Sequence, residues 1–155
     1  MLSLLGTRDE RGASTYMGFH IKLFRDERFL LTRVVDTIDG ASLLEHVFDV
    51  NAETEGLDGV RELADCRELK SVAGLSVGMT TASAEQETKK VGSRLAILTP
   101  PDNDLIYGMA RAYQTLALES RAAVEVFRDY DAAINWLAED AGDLASLRRL
   151  VENAE

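Results

Sequence analysis

Cysteine and histidine are scarce in this sequence, and a long hydrophobic run is missing altogether. The single cysteine, Cys66, excludes an intramolecular disulfide and is typical of a reducing compartment. No apolar run approaches the ~20 residues that span a bilayer, and the first residues lack the pattern of a signal peptide. We therefore expect a cytoplasmic protein without a membrane span.

Positive charge is also in short supply, because 27 acidic residues stand against 17 basic ones, for a formal net charge of −10. Residues 36–68 alone hold ten acidic and two basic side chains. No basic stripe exists that could follow a phosphate backbone, so nucleic acid is excluded as a partner. We interpret the acidic stretch as a solvated face and not as a dedicated site for a basic partner.

Hydrophobic periodicity predicts alternating strands and helices from about residue 17 onward. Period-two or continuous apolar runs predict strands at 19–24, 29–35, 60–66, 94–98 and 123–127. Helices are expected to begin at Asp39 or Thr37, at a capping box led by Ser83, at Asn103 or Asp104, at Asp129 or Asp131, and again at Asp143 after a break at Gly142.

This order predicts an α/β fold with a single mixed, mostly parallel sheet, an antiparallel edge hairpin strand and flanking helices. Residues 1–16 show no sustained period, and we expect them to form an N-terminal extension that can be disordered. The α/β domain is assigned to 17–139 and a C-terminal helix to 140–155. The apolar stripe of that helix suits packing either on its own domain or on a second copy of the chain, with a slight preference for a dimer contact.

Several segments resemble the STAS-like (SpoIIAA-like) family, which is distantly related to CRAL-TRIO lipid-binding domains. They are IYGMARAYQ (106–114), VEVFRD (124–129), DAAINWL (131–137), VRELADCR (60–67) and 94–98. The resemblance covers about residues 17–138 and implies a sheet of four or five strands with helices beside it. It further implies no enzymatic chemistry and, often, homodimers.

One departure from the family pattern concerns its signalling members. Their third strand is followed by an Asp-Ser-Ser/Thr-Gly turn whose hydroxyl is phosphorylated by a partner kinase. The corresponding stretch here, LKSVAGLS (69–76), contains Ser71 and Ser76 but lacks the acidic lead-in and the adjacent hydroxyl. The resemblance therefore implies the scaffold and leaves the phosphorylation switch in doubt.

No catalytic residue, metal ligand or cofactor motif is predicted. His46, Asp49 and Glu53 share one helix face, but a metal site usually needs a ligand from a second element. A solvated polar helix face is favoured for His46. Cys66 is interpreted as a small buried hydrophobic residue and not as a nucleophile.

Ligands of parallel sheets usually bind beyond the carboxyl ends of the strands. Ser71, Thr99, Asp102 and Asp104 are therefore candidates for contact with a partner or ligand, although helix capping is favoured for the two aspartates. Four large side chains are candidate lining residues of an apolar cavity, although a packed core is the commoner role at this spacing: Phe48, Met109, Tyr113 and Trp136.

Two functional hypotheses follow from these observations. The leading one is a non-enzymatic STAS-like regulatory or protein-interaction module, acting as a homodimer with an unknown protein partner. The alternative is a carrier or sensor of a small apolar, lipid-like ligand in a cavity between sheet and helices. An enzyme ranks last because no motif supports it.

Overall fold

The computed structural model describes residues 18–154 and, as backbone strands only, residues 7–8 and 13–16. The strands are β1 (Thr7–Arg8), β2 (Ala13–Tyr16), β3 (Phe19–Phe24), β4 (Phe29–Asp39), β5 (Arg61–Gly74), β6 (Arg94–Leu98) and β7 (Ala123–Phe127). The helices are α1 (Gly40–Glu53), α2 (Val77–Glu85), α3 (Asp104–Ala117), α4 (Tyr130–Leu137) and α5 (Ala141–Asn153).

One sheet holds all these strands in sequential order. From β3 to β7 it has one antiparallel pair, β3–β4, followed by three parallel pairs. This confirms the predicted α/β class and the mixed sheet. β2 pairs antiparallel with β3, and β1 with β2, so part of the predicted extension belongs to the sheet. The remaining residues of that extension lie outside the described part of the chain.

Side-chain alternation along the strands produces two apolar faces. In β6, Leu95 and Ile97 belong to a cluster that includes residues of α1 and α3, whereas Ala96 and Leu98 belong to a cluster with α4 and α5. All four side chains are buried, which explains the continuous apolar run of this strand. The protein therefore has three layers, with α1 to α3 on one face of the sheet and α4 with α5 on the other.

Side-chain caps mark the start of each described helix. Asp39, Asn103 and Asp129 cap α1, α3 and α4, each accepting a hydrogen bond from a backbone N–H of the first turn. The capping box predicted at Ser83 is wrong. Ser76 caps α2 instead, and Ser83 lies buried near its end because the helix begins six residues earlier. α5 is capped by Asp140, before the predicted Asp143.

The C-terminal helix packs on its own domain, which corrects the preference for a dimer contact. Leu147 and Val151 are buried against α4 and the sheet. Arg61 at the start of β5 forms an ion pair with Asp143 of α5 and donates a hydrogen bond to the carbonyl of Leu137. The apolar stripe therefore completes a core that the sheet alone would leave open.

Two strands are much longer than the sequence predicts. β4 and β5 pair as far as Asp39 and Gly74, whereas the pairing of β5 with β6 ends at Asp65 and Leu98. Residues 34–39 and 66–74 thus form a two-stranded extension, here called the β4–β5 ribbon. The ribbon contains several register irregularities and a positive φ at Asp36, features that bend and twist paired strands.

Candidate functional site

A cavity of about 100 Å³ lies between the β4–β5 ribbon, the sheet and helices α1 to α3. Most of its walls are apolar. The apolar and sulfur-containing lining residues are Phe19, Val34, Ile38, Leu43, Val47, Val50, Ala64, Cys66, Leu69, Val72, Leu75, Leu95, Ile97, Ile106, Met109 and Ala110. The polar lining residues are His46, Glu62, Thr80, Glu87, Thr99, Tyr113 and Arg121.

Small side chains and the bent ribbon leave this space open. Ala64 on β5 and Ala110 on α3 both line the cavity and place a single methyl group where a larger residue would fill it. Leu69 and Val72 of the ribbon extend the apolar wall beyond the end of β6. The cavity therefore depends on β4 and β5 continuing past their neighbours.

A buried ion cluster forms the polar wall of the cavity. The guanidinium of Arg121 donates to Glu62 Oε1 and to Glu87 Oε1, both at 2.8 Å, and the three side chains are 2–3% exposed. Burial alone would lower the pKa of Arg121, but the two carboxylates raise it above its ordinary value. Arg121 thus stays charged between two acidic partners that would otherwise be costly to bury.

Glu87 is the most highly connected member of this cluster. Its other oxygen, Oε2, accepts a hydrogen bond from the Tyr113 hydroxyl, and Lys90 Nζ lies 3.7 Å from Oε1. Burial opposes the ionisation of Glu87, but Arg121 and Tyr113 outweigh it and lower its pKa. Burial, then Glu87, raises the pKa of Tyr113 well above the ordinary value, so the hydroxyl keeps its proton.

His46 borders the cavity from α1, where its imidazole stacks on Phe19. Its Nδ1 is buried and has no hydrogen-bond partner among the described residues. Burial lowers the pKa of His46 despite the nearby Glu62, Asp49 and Glu87, which act in the opposite direction. The solvated helix face favoured for His46 from the sequence is therefore only partly right, because His46 is half-buried, with its ring stacked on Phe19 and its Nδ1 inside.

Cys66 lies on the cavity wall as a buried thiol. Burial, followed by the charges of Asp65 and Glu62, raises its pKa far above the ordinary value. A thiol that holds its proton is a poor nucleophile, so its surroundings agree with the interpretation of Cys66 as a packing residue.

The candidate residues from the sequence are divided between different parts of the molecule. Met109, Tyr113 and Thr99 line the cavity, and the buried Thr99 donates a hydrogen bond to the carbonyl of Phe127. Ser71 lies on the ribbon, where its hydroxyl accepts from the backbone N–H of Ala73. Any contact of these residues with a ligand or partner stays a prediction.

The other four candidates lie away from the cavity. Phe48 is 44% exposed on α1, and Trp136 packs on the opposite face of the sheet against Phe127. Asp102 and Asp104 are exposed. Asn103, and not either aspartate, caps α3, while Asp104 pairs with Arg128.

Sequence reasoning missed the polar wall. Glu62, Glu87 and Arg121 come from a strand, from a loop after α2 and from a loop before β7, so no local pattern connects them. One signal was present in β5, where Glu62 alternates with Ala64 and Cys66 on an otherwise apolar face. A carboxylate in that register requires a buried partner.

Metal and membrane signals are weak in the residues that the structure describes. There, His, Cys, Asp and Glu side chains do not gather in any group of three or more suited to a metal ion. None of the described helices combines the length and the apolar character that a membrane crossing requires.

Comparison with known proteins shows a likeness of structure. No family model and no curated protein matches the chain. A similar solved structure is an uncharacterised protein of the DUF3478 family with a SpoIIAA-like fold from Shewanella loihica PV-4. The match has 19% sequence identity and a TM-score of 0.46, and covers 77% of this chain and 92% of that one. It assigns no function.

Proposed function

We propose that the protein is a non-enzymatic module that binds one small, largely apolar molecule in the cavity below the β4–β5 ribbon, as a sensor or carrier. The observation that carries this proposal is the cavity itself. Native cores hold few voids larger than a water molecule. An apolar molecule bound in the cavity would pack against its walls and remove them from water, which is favourable.

The volume of the cavity limits the size of the ligand. A dry apolar cavity of about 150 Å³ holds benzene or xenon, whereas sites for drug-sized ligands span roughly 300–1,000 Å³. The cavity here, at about 100 Å³, is smaller than both, so it suits a molecule no larger than one ring, such as a short branched chain.

The chemistry of the walls supports binding without catalysis. Cys66 holds its proton, and Arg121 is already occupied by two carboxylates. A reaction needs a group free to attack or to exchange a proton at the substrate. The ion cluster instead resembles a fixed polar wall against which an apolar ligand can pack.

Toluene binding to a cavity-filling variant tests the proposal. Ala110→Leu places three more carbon atoms in the cavity, so we expect toluene to raise the unfolding temperature of the wild type but not of this variant. Ala82→Leu, at an exposed position of α2, is the matched control and keeps the response. Equal responses of the wild type and Ala110→Leu to toluene would refute the proposal. Mass spectrometry of an organic extract of the purified protein would then identify the natural ligand.

A second candidate function is the homodimeric protein-interaction module. Two large apolar side chains, Val77 on α2 and Leu105 on α3, are 59% and 64% exposed on helices that contact each other. A second copy would remove them from water. Sedimentation should then find a dimer for the wild type and a monomer for Val77→Ser/Leu105→Ser, and a monomeric wild type would exclude this candidate.

A further inference from the structure

Hydrogen bonding within the ion cluster leaves its carboxylates little capacity for a ligand. Glu62 accepts from Arg121 at one oxygen and from Thr32 Oγ1, at 2.9 Å, at the other. Glu87 accepts from Arg121 and Ser120 at one oxygen and from Tyr113 at the other. These groups therefore form a wall whose hydrogen bonds are made inside the protein.

The hydroxyl protons of the threonines that border the cavity are also used. Thr80 Oγ1 donates to the carbonyl of Ser76 at 2.9 Å, and Thr99 Oγ1 donates to the carbonyl of Phe127 at 3.2 Å. Both residues are buried, so neither proton is available to a ligand without breaking an existing bond.

His46 differs from all the other polar residues on the cavity wall. Among the cavity-lining residues in the described part of the chain, His46 is the one with a buried side-chain polar atom, Nδ1, that makes no hydrogen bond. Buried polar atoms nearly always have a partner, and an exception requires an explanation. The ring is held in place by stacking on Phe19, which keeps Nδ1 in a fixed position.

Charge at the cavity wall is already balanced. Glu62 and Glu87 stand against Arg121 and Lys90, whose ammonium also donates to Asn51 Oδ1 at 2.7 Å. Burial keeps His46 neutral by lowering its pKa. A charged ligand would add a charge without a counterion in an apolar space, which is strongly unfavourable.

We infer that the cavity selects an uncharged molecule of about one ring that carries a hydroxyl group, and that this hydroxyl forms a hydrogen bond with Nδ1 of His46. The inference rests on the proposed binding function and specifies its ligand. A hydroxyl both donates and accepts, so it matches Nδ1 in either neutral tautomer of the imidazole. The rest of the ligand packs against Phe19, Cys66 and the ribbon.

Phenol, toluene and benzoate are similar in size but carry a hydroxyl, a methyl and a carboxylate group. Their relative affinities therefore show which of these groups the cavity prefers. We expect phenol to bind the wild type about 2- to 10-fold more tightly than toluene, the ratio of one net hydrogen bond. Benzoate, which is charged at neutral pH, should bind at least tenfold more weakly than phenol. Calorimetric titration measures all three, and the ¹⁵N signal of His46 Nδ1, which reports hydrogen bonding, should shift by several parts per million with phenol and far less with toluene.

Two variants assign the preference to His46. His46→Phe keeps a ring for the stack on Phe19 but removes the nitrogen, so phenol and toluene should bind it equally. His46→Asn retains a polar atom near the position of Nδ1 and should restore part of the preference. The NMR comparison in the wild type tests for the hydrogen bond between phenol and His46 even if a variant fails to fold.

The outcomes distinguish this inference from the proposed function. Toluene bound as tightly as phenol by the wild type, or benzoate bound more tightly than either, would overturn the hydroxyl assignment while the binding function survives. Unchanged phenol preference in His46→Phe would also overturn it. A cavity that binds neither phenol nor toluene would refute both.

Discussion

The imidazole of His46 lies 4.2 Å from the ring of Phe19, centroid to centroid, with 11° between the two planes. This stack joins α1 to β3 on the wall of the cavity. It places a titratable ring where its charged form is disfavoured, because burial lowers the pKa of His46. The relationship therefore has consequences for stability as well as for binding.

Stability should fall as the pH drops below about 6.5, the ordinary pKa of histidine. Below that value the unfolded chain takes up a proton at His46 that the folded protein resists, so the loss continues down to the lowered pKa of the folded state. The slope is at most about 1.4 kcal/mol per pH unit for one group. Urea unfolding at pH 7.5 and 5.5 measures it. The same difference in His46→Phe would show that another group is responsible.

Cys66 should react slowly with thiol reagents in the folded protein. The thiol is buried and burial raises its pKa, so modification requires an opening of the structure. We expect labelling by an aromatic disulfide reagent at pH 8 to be at least 100-fold slower than in urea. Because Cys66 borders the cavity, phenol or toluene should slow labelling further. Rapid labelling of the native protein would contradict the buried position.

Arg121→Met should destabilise the protein strongly. It leaves Glu62 and Glu87 without their shared counterion in a buried site, a change that typically costs about 3–5 kcal/mol. Adding Glu62→Gln to Arg121→Met removes one of the orphaned charges and should recover part of the loss. Chemical unfolding of the single and double variants gives both numbers. Additive losses would mean that Glu62 and Arg121 do not interact.

Leu147→Ala should cost about 2–5 kcal/mol, the usual range for removing a fully buried leucine side chain. Leu105→Ala is the matched control, since Leu105 is 64% exposed on α3 and should change stability by less than about 0.5 kcal/mol. Sedimentation should find the same oligomeric state in Leu147→Ala as in the wild type. A changed oligomeric state with unchanged stability would indicate that α5 lies in a dimer interface.

The sequence predicted the elements whose pattern is local. β6 and β7 have the predicted bounds because their apolar runs are short and end at clear breaks, and Asp39, Asn103 and Asp129 cap helices as one of two residues proposed in each case. The C-terminal half of β5 escaped prediction because Arg67, Glu68 and Lys70 are exposed on the ribbon and interrupt the apolar pattern.

The site itself was largely beyond prediction. Periodicity predicts which side of α1 is polar, but not that Phe19 stacks on His46 and leaves its Nδ1 buried. The pairing of Arg121 with Glu62 joins residues 59 positions apart, and only the assembled sheet brings them together. Met109 and Tyr113 were named as candidate cavity residues because large side chains at helical spacing must pack against something.

The strand pairing of β5, β6 and β7 does not depend on the β4–β5 ribbon, whereas the cavity does. The registers of β5, β6 and β7 end at Asp65, Leu98 and Phe127, and none depends on how far β4 and β5 continue beyond them. Lengthening or shortening both strands of the β4–β5 ribbon by two residues would preserve the alternation of its faces and change the volume of the cavity beneath it. Because β4 leads directly into α1 and β5 leads toward α2, changes in length at these two strand ends would alter what the cavity can hold while the pairing of β5, β6 and β7 stays the same.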